Sequence, residues 1–380
     1  MSPAEARILF REERPSVASI VMAKKGTLPL VEASGKPFEM GRTVGRKCAA
    51  RAAQYRKCMA ASILRYTGME WPKAVERAGA YLPYAEEFFP DFVEEIRGYS
   101  NGSKLPFQDA FALVCHELLS PSGFRGCTDI AVSGDVTDDG SVLAAHNEDF
   151  TPDQLQTVVL LHAKPRGKPE FIATSYAGLL PSCGMNSAGI GLTGNALDSN
   201  DIRVGIPKSF PVRKVMEARR IGEALMWALP AERASSYNNI CSDSSGEIYS
   251  MEGSATDCAW IYAHDGYVVH TNHYVAEKMQ RYETDTSSAA LATSTVRYNR
   301  ALRLIEGQLG AVTVDSLKTI LKDHINKPGS ICRHADPGLH PLNVSETIFS
   351  VVFDLTRLEA HISKGKPCTG TYSKFSLKKS

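Results

Sequence analysis

Residues 125–149 read RGCTDIAVSGDVTDDGSVLAAHNED, and the character of the chain changes where this segment begins. Residues 128–133 are rich in β-prone residues, residues 134–140 carry turn residues that end in Asp-Asp-Gly, and residues 141–147 are β-prone again. Two such runs joined by a glycine-containing turn are typical of a β-hairpin. The segment therefore predicts a hairpin with Cys127 at the start of its first strand.

The chain before the hairpin has the pattern of helices. Residues 42–66 are rich in helix-forming residues, and residues 84–99 place apolar side chains four, four and three positions apart. Residues 107–119 form a further apolar helical run. We therefore predict that residues 1–126 form a helical N-terminal segment.

Beyond the hairpin, short β-prone runs alternate with helical ones. The strand-like runs are 157–163, 170–174, 189–194, 247–252, 257–263, 266–271 and 347–354, and the helical runs are 212–228, 296–306 and 314–323. Strands and helices mixed in this order indicate an α+β fold or a layered αββα architecture. We expect residues 1–126 and 127–380 to form one integrated domain.

Charge and composition exclude several classes of partner. The 380 residues contain 43 basic and 42 acidic side chains, for a formal charge of +1, so neither nucleic acid nor an anionic membrane is expected as a partner. The sequence has no apolar run of 18 residues, and its first 30 residues lack the apolar core of a secretory signal. A cytoplasmic location is the default expectation.

The nine cysteines are scattered along the chain, and none of them forms a Cys-x-x-Cys pair. This pattern indicates neither a disulfide framework nor a zinc knuckle, and we expect no metal and no cofactor. Most of these cysteines are predicted to be small apolar core residues. The remaining question is whether one of them is a nucleophile.

The Gly126–Cys127 bond offers a specific chemistry. If this bond is cut, Cys127 carries a thiol and a free α-amine whose reference pKa lies near 8, so one residue supplies both nucleophile and base. The glycine before it would tolerate the strained backbone needed when the thiol attacks the preceding carbonyl. A Gly-Cys pair is equally compatible with a buried strand cysteine, and spacing alone does not decide between the two.

Six motifs, which occur in one order along residues 33–365, resemble the peptidase C45 family of N-terminal nucleophile (Ntn) hydrolases. This is the acyl-coenzyme A:6-aminopenicillanic-acid acyltransferase (isopenicillin-N acyltransferase) type, which is more distantly similar to choloylglycine hydrolases and penicillin V acylases. The motifs are GKPFEMG (35–41), GCT (126–128), NED (147–149), GMNSAG (184–189), HTNH (270–273) and SICR (330–333). The family has an aromatic residue where this chain has Glu148. The resemblance implies the four-layer αββα Ntn sandwich.

The resemblance also implies roles for individual residues. Cys127 is expected to be the nucleophile, released by self-cleavage after Gly126. Asp149 is expected to accept hydrogen bonds from the new α-ammonium or from Arg333, whose guanidinium stays charged. Asn272 is expected to donate its side-chain N–H to the oxyanion of the tetrahedral intermediate.

A second group of residues is expected to line the oxyanion and substrate sites. Asn195, at a strand end, offers a second donor, and Thr128 forms part of the wall beside the thiol. Ser236, or its neighbour Ser235, matches a serine that supports processing and substrate binding. Asn147 belongs to the same group.

Two local patterns have alternative interpretations. His270 and His273 resemble a His-x-x-His metal pair, but residues three apart on a strand point to opposite faces. The adjacent Cys115 and His116 resemble a thiol–imidazole pair, but neighbouring helical residues point about 100° apart. We interpret the first pair as part of the HTNH motif and the second as core and cap.

The resulting functional hypothesis is an autoprocessed zymogen that becomes an amidohydrolase or acyltransferase. It is expected to act on a small N-acyl or N-aminoacyl amine, such as a β-alanyl amine, through a Cys127 thioester. The alternatives are an acyl-CoA-dependent N-acyltransferase of the penicillin type, an uncut papain-like cysteine peptidase that uses Cys127 or Cys115, and a scaffold with an inert thiol. The expected partners are a small-molecule amide, with acyl-CoA as an optional co-substrate, and the two fragments for each other, with a homodimer left open.

Overall fold

The computed structural model describes residues 26–119, 126–284, 289–339 and 344–379, which form two β-sheets between layers of helix. The strands of these ranges are β1 (Leu30–Gly35), β2 (Gly126–Val132), β3 (Leu143–Phe150), β4 (Val158–Pro165), β5 (Phe171–Tyr176), β6 (Pro181–Asn186), β7 (Ile190–Ala196), β8 (Tyr237–Asp243), β9 (Ile248–Gly253), β10 (Cys258–Tyr262), β11 (Tyr267–His270), β12 (Glu346–Asp354), β13 (Glu359–Lys364) and β14 (Tyr372–Ser376).

The strands divide into a larger and a smaller sheet. Within the described residues the larger sheet runs in the order β1-β4-β5-β6-β7-β8-β9-β10, and the smaller in the order β11-β2-β3-β12-β13-β14. Strand β1 pairs parallel with β4, whereas the other pairs are antiparallel. The predicted hairpin is confirmed as β2-β3, inside the smaller sheet, where Cys127 lies opposite Glu148.

Helices cover the outer face of each sheet. They are α1 (Pro37–Thr67), α2 (Trp71–Ala78), α3 (Leu82–Phe88), α4 (Pro90–Ser103), α5 (Phe107–Ala112), α6 (Ser209–Val215), α7 (Ile221–Ala228), α8 (Ala289–Glu306) and α9 (Val314–Ile320). Helices α1, α6 and α7 contact the larger sheet, α8 and α9 contact the smaller, and β2 and β3 contact β7 across the middle. The order of layers is αββα, which confirms the predicted fold class. No helix in the described ranges combines the length and apolarity that a membrane crossing requires.

Strand β2 places its side chains alternately on the two faces of its sheet. Ile130 and Val132 belong to a buried apolar cluster with residues of α8 and α9. Cys127 and Asp129 therefore point the other way, between the two sheets. This alternation places a thiol and a carboxylate in the centre of the sandwich.

The N-terminal segment is tied to the rest of the chain by the pairing of β1 with β4, and within the segment α1 and α4 pack closely against each other. A Cβ atom on Gly41 would lie 1.8 Å from the carbonyl oxygen of Glu95, and one on Gly98 would lie 2.1 Å from that of Phe38. Only glycine permits such close backbones, at the cost of helix propensity. The segment predicted as helical therefore also contributes an edge strand to the larger sheet.

Two predicted helices are each divided in the structure. The helix predicted over 84–99 ends before Pro90, which begins α4, because proline cannot donate a helical hydrogen bond. The helix predicted over 212–228 separates into α6 and α7. The carbonyl groups of the break, Met216 and Ala218, accept hydrogen bonds from the side chain of Asn186, at 3.2 and 2.7 Å. Strands β1, β8, β13 and β14 were not predicted.

Candidate active site

Cys127 lies at the second position of β2, with both its backbone nitrogen and its thiol close to acceptor groups. The side chain is 3% exposed. The backbone N–H donates to Oδ1 of Asn272 at 2.7 Å, and Sγ lies 3.7 Å from Oε2 of Glu148. The two groups that the proposed chemistry requires, thiol and nitrogen, therefore each face an oxygen.

The thiol opens into a cavity of about 550 Å³, part of which is solvent. Its lining consists of His116, Cys127, Glu148, Phe150, Tyr176, Pro181, Ser182, Gly194, Ala196, Lys208, Ser209, Val212 and Asn239. A second cavity of about 430 Å³ shares His116, Ala196 and Lys208 with it, and adds Glu117, Ser235 and Ser236. The shared residues make the two cavities adjoining parts of one cleft with charges of both signs.

A buried chain of charged groups stands behind the thiol. His146 contacts Asp129 through Nδ1 and Glu148 through Nε2, both at 2.9 Å, and the hydroxyl of Tyr176 donates to the other oxygen of Glu148 at 2.7 Å. Burial opposes a charge on His146, but the Asp129 carboxylate and these hydrogen bonds raise its pKa well above the ordinary value. Burial likewise acts against the Glu148 carboxylate, yet His146 and Tyr176 keep its pKa below the usual range.

These groups set the protonation state of the Cys127 thiol. Burial, and then the negative charge of Glu148, raise the pKa of the Cys127 thiol to about 12. The thiol of the continuous chain is therefore protonated at neutral pH, with the ionised carboxylate of Glu148 as its nearest acceptor. Attack by this sulfur requires a base.

Arg297, from α8, holds the backbone around Cys127 from the opposite face of the sheet. Its guanidinium donates through Nη1 to the carbonyl oxygen of Cys127 and, at 3.0 Å, to the hydroxyl of Thr128. Through Nη2 it donates to Oδ1 of Asn272 at 2.8 Å. The side chain is fully buried, and burial, together with nearby Arg333, lowers its pKa to about 10. It remains a cation at neutral pH.

The orientation of Asn272 follows from these contacts. Its oxygen accepts from Cys127 and Arg297, and its Nδ2 donates to the carbonyl oxygen of Ala196 at 3.0 Å. If the amide were flipped, its Nδ2 group would face the N–H of Cys127 and the guanidinium of Arg297, so that two donors would meet at each contact. Asn272 thus lies at the site as predicted, but it presents an acceptor to Cys127, and its donor is used by Ala196. The role of oxyanion donor predicted for it does not follow from this arrangement.

The structure brings Asp149 and Arg333 together beneath the predicted cleavage bond. Nε of Arg333 donates to Oδ2 of Asp149 at 3.1 Å, and the hydroxyl of Thr347 donates to Oδ1 at 2.7 Å. Burial raises the pKa of Asp149, an effect that the Arg333 cation opposes. A Cβ atom on Gly126 would lie 2.7 Å from Asp149 Oδ2 and 3.2 Å from Arg333.

This close approach gives a second reason for glycine at position 126. Gly126 belongs to the regular strand β2 and is not among the described residues with positive φ, so a strained backbone there stays a prediction for the step of attack. A side chain at this position would require the Asp149–Arg333 pair to shift, which is a steric reason for glycine.

Two of the predicted binding residues, Asn195 and Asn147, have other contacts. Asn195 donates to Asp129 and accepts from Asn238 at 3.2 Å, so its amide nitrogen is directed away from the thiol. Asn147 donates to the carbonyl groups of Leu321 and Ile331, both at 2.9 Å, and so anchors the loop that carries Arg333. Neither contact corresponds to a donor at the oxyanion.

The serines lie in the second cavity. Ser236 donates to the carbonyl oxygen of Leu197, and its neighbour Ser235 donates to Glu117 at 2.8 Å. Both side chains therefore lie along the cleft rather than at the sulfur, in a position to contact the distant part of a substrate.

In each of the two alternative pairs, His270 with His273 and Cys115 with His116, the two members have different contacts. His270 contacts Glu252 at 2.8 Å, whereas His273 contacts the hydroxyl of Ser294 at 2.8 Å, so the two rings are held by different partners. The thiol of Cys115 is buried and donates to the carbonyl oxygen of Phe111 at 3.3 Å. His116, interpreted from the sequence as a cap, instead lines the cleft.

Several site residues were missed by the sequence analysis. His146 and Glu148 alternate with Asn147 and Asp149 along β3, so the hairpin register could have placed them beside Cys127. Arg297 gave no such signal, because it lies 170 residues away on a helix whose pattern shows only an apolar face.

Comparisons with known proteins identify the family of this chain. Residues 136–368 match the family model of acyl-coenzyme A:6-aminopenicillanic acid acyl-transferase. The chain is 25% identical over 284 residues to the 40 kDa form of acyl-coenzyme A:6-aminopenicillanic-acid-acyltransferase from Emericella nidulans, covering 73% of this chain and 76% of that protein. It is 23% identical over 229 residues to beta-alanyl-dopamine/carcinine hydrolase from Drosophila melanogaster, covering 54% of this chain and 58% of that protein.

Among solved structures, a mutant of conjugated bile acid hydrolase from Clostridium perfringens is 12% identical, with a TM-score of 0.45, and the match covers 67% of this chain and 98% of that one. The family match spans well over half of the 380 residues and includes Asn147, Asp149, Asn272 and Arg333. The chain therefore belongs to the acyl-coenzyme A:6-aminopenicillanic acid acyl-transferase family, and it is an enzyme of the acyltransferase and amide-hydrolase class.

Proposed function

We propose that the chain cuts its own Gly126–Cys127 bond and then acts as an N-terminal-cysteine amidohydrolase or acyltransferase. The observation that carries this proposal is the placement of Cys127, whose sulfur faces the cleft while its nitrogen lies 2.7 Å from Asn272 Oδ1. A buried strand cysteine without function needs neither a cavity at its sulfur nor a side-chain acceptor at its nitrogen.

Self-cleavage begins with attack of the Cys127 sulfur on the carbonyl carbon of Gly126. The C–S bond forms, the C–N bond breaks, and the thiol proton passes to the departing nitrogen. Glu148, 3.7 Å from the sulfur, is the group that takes this proton first. Water then hydrolyses the thioester, which leaves a carboxylate on Gly126 and restores the thiol.

Turnover repeats this chemistry on a substrate. The free α-amine of Cys127, with a reference pKa of about 7.7–8.0, takes the thiol proton, and the sulfur attacks the acyl carbon of the amide. The substrate amine leaves with a proton, and a thioester remains on Cys127. Water as the next acceptor gives hydrolysis, whereas a second amine gives acyl transfer. Asn272 Oδ1 holds the α-amine throughout.

The charges of the cleft support an N-aminoacyl substrate, such as a β-alanyl amine. Glu148, which stands where the family has an aromatic residue, places an ionised carboxylate beside the sulfur. A β-alanyl group carries an ammonium that this carboxylate attracts. One relative is itself named as a beta-alanyl-dopamine/carcinine hydrolase. Transfer from acyl-CoA, as in the name of the Emericella relative, is the second candidate.

The test of self-cleavage is denaturing electrophoresis of the freshly made protein. The 41.4 kDa chain should give fragments of about 14 and 28 kDa, in proportion to 126 and 254 of its 380 residues. N-terminal sequencing of the larger fragment should begin Cys-Thr-Asp-Ile. Cys127→Ala should remain uncut and inactive, and Cys127→Ser should cut slowly, because a hydroxyl makes the same shift.

Other outcomes identify the alternatives. An intact chain with activity favours a papain-like peptidase, and an intact chain without activity favours an inert scaffold. Full activity in Cys127→Ala would contradict the assignment. The fragments should stay together after cleavage, because β1 is paired with β4 and Glu95 of α4 binds Arg213 of α6 at 3.0 Å.

The substrate is tested with a matched pair of amides, a β-alanyl amine and its propionyl counterpart, which lacks only the ammonium group. The wild-type enzyme should prefer the β-alanyl compound. A thioester trapped on the larger fragment, read by mass, identifies the acyl group directly. Equal rates for the two amides would contradict recognition of the ammonium.

A further inference from the structure

Four potential metal ligands converge about the loop that carries Arg333. They are His324, Cys332, His334 and Cys368, and their ligand atoms all lie within 4.8 Å of one another. Three of them come from the loop after α9, and the fourth follows β13. None of the four was given a role by the sequence analysis or contributes to the cleft.

Three of the six ligand–ligand distances within this cluster are close to those of a tetrahedral site. Nε2 of His334 lies 3.1 Å from Nε2 of His324, 3.5 Å from Sγ of Cys368 and 3.7 Å from Sγ of Cys332. A regular tetrahedron with Zn–S bonds of about 2.3 Å and Zn–N bonds of about 2.0–2.1 Å has ligand–ligand edges of roughly 3.3–3.8 Å. The three observed edges span nearly this range.

Backbone hydrogen bonds hold the ligands in place. The N–H of Cys332 donates to the carbonyl oxygen of Asp323, the residue before His324, at 3.0 Å. The N–H of His334 donates to the carbonyl oxygen of Pro328, also at 3.0 Å. Cys332 is buried, while His334 and Cys368 are half-buried and His324 is exposed. The cluster is thus shielded on one side and reachable by an ion from the other.

We propose that His324, Cys332, His334 and Cys368 bind one zinc ion in a structural site. Two thiolates and two neutral imidazoles balance the charge of a divalent cation, and this ligand set selects zinc over hard ions such as magnesium. Four protein ligands leave no open position for substrate, which is the property of a structural rather than a catalytic site. Binding releases the two thiol protons to solvent.

The other group with metal-binding side chains among the described residues is Cys127, His146 and Glu148. There, both ring nitrogens of His146 already form hydrogen bonds with carboxylates, those of Asp129 and Glu148, at 2.9 Å each. A metal in that place would have to displace one of these contacts with the carboxylates, whereas in the four-residue cluster it would replace only contacts among the ligand atoms themselves.

The site has a consequence for the cleavage bond. Arg333 lies between two of the ligands in sequence, and its guanidinium binds Asp149 beneath Gly126. On the other side of the loop, Arg300 of α8 binds Asp323 at 2.7 Å. Zinc would therefore fix the loop at the point where it positions Arg333.

The test is the zinc content of the full chain, purified under reducing conditions without a polyhistidine tag and after incubation with zinc and dialysis. Elemental analysis should find about one zinc per chain, and X-ray absorption should give two sulfur and two nitrogen neighbours at about 2.3 and 2.0–2.1 Å. Cobalt should replace zinc and give the intense visible bands of a tetrahedral site with thiolate charge transfer. Both spectra use the wild-type protein and so do not depend on the folding of a variant.

Variants locate the ion. Cys368→Ser and His334→Asn should lose the bound zinc, whereas Cys258→Ser, a half-buried cysteine in β10, and Cys127→Ala should retain it. Failure of reduced wild-type protein to bind zinc overturns the proposal, as does zinc that survives in Cys368→Ser or is lost in Cys127→Ala. A Cys332–Cys368 disulfide in a protein whose reduced form binds no zinc would identify the cluster as a redox pair instead. Because zinc content is measured in both cut and uncut chains, the result is independent of self-cleavage.

Discussion

Replacement of Arg297 by methionine tests how the structure holds Cys127. The guanidinium donates hydrogen bonds to three acceptors, which are the carbonyl of Cys127, the hydroxyl of Thr128 and the side-chain oxygen of Asn272. Methionine fills part of the volume but donates to none of them. The substitution should therefore destabilise the fold and release the backbone on which the proposed self-cleavage depends.

The magnitude follows from these contacts. A buried polar group without a partner costs about 1–3 kcal/mol. Asn272 Oδ1 keeps the N–H of Cys127 as a donor, so the two acceptors that lose Arg297, the Cys127 carbonyl and the Thr128 hydroxyl, give an upper bound of roughly 6 kcal/mol. Against this, the variant no longer buries a cation, and the lowering of the Arg297 pKa to about 10 shows that this burial has a cost. Loss of one partner from a buried charged contact typically costs about 3–5 kcal/mol, and we expect a value in that range.

The assay is equilibrium unfolding in urea, carried out in a Cys127→Ala background so that every chain stays continuous. The control is Arg303→Met, an exposed arginine of the same helix, which should change the free energy of unfolding by no more than about 0.5 kcal/mol. With Cys127 restored, Arg297→Met should also fail to cut. A change of less than about 1 kcal/mol for Arg297→Met would refute the reasoning.

Three further substitutions test the site. Gly126→Ala should slow self-cleavage, followed by electrophoresis over time, because its Cβ would lie 2.7 Å from Asp149; cutting at the wild-type rate would contradict the steric argument. Asn272→Ala should lower kcat by about 10–100-fold with little change in KM, because it removes one hydrogen bond to a charged group. Asn272→Asp should keep most of the activity, because aspartate keeps the acceptor oxygen. If the aspartate is as damaging as the alanine, Asn272 acts as a donor. Glu148→Gln should lower the pKa of the Cys127 thiol, since a negative charge that raises it is removed. Alkylation of that thiol by iodoacetamide, read by peptide mass, should then extend to lower pH; an unchanged or upward-shifted profile would contradict the assigned cause.

Part of the site could be predicted because the residues that indicate it are neighbours in the sequence or belong to motifs that follow the order of a known family. The β2-β3 hairpin follows from its alternation and turn residues, whereas the choice of Cys127 as candidate nucleophile depended on the resemblance of six ordered motifs to a known family. The pairing of Asp149 with Arg333 was one of two expectations for that carboxylate, and the structure shows the contact.

Other features depend on partners that are remote in sequence. The pattern around Asn272 implies an amide at the site, but which of its two polar atoms faces Cys127 is set by Arg297 and Ala196. The division of the helix predicted over 212–228 likewise rests on Asn186, which binds carbonyl groups some thirty residues away.

The sequence by itself determined the α+β class of fold and the hairpin, because hydrophobic period and turn chemistry depend on neighbouring residues. Its six ordered motifs indicated Cys127 as the candidate nucleophile through the family resemblance. Only the tertiary structure decided that Arg297 reaches Cys127 across 170 residues, that Glu148 stands at the thiol, and that four separated ligands meet about one loop. Such contacts arise when whole elements pack, and their geometry depends on the stacking of sheets and helices rather than on any local pattern.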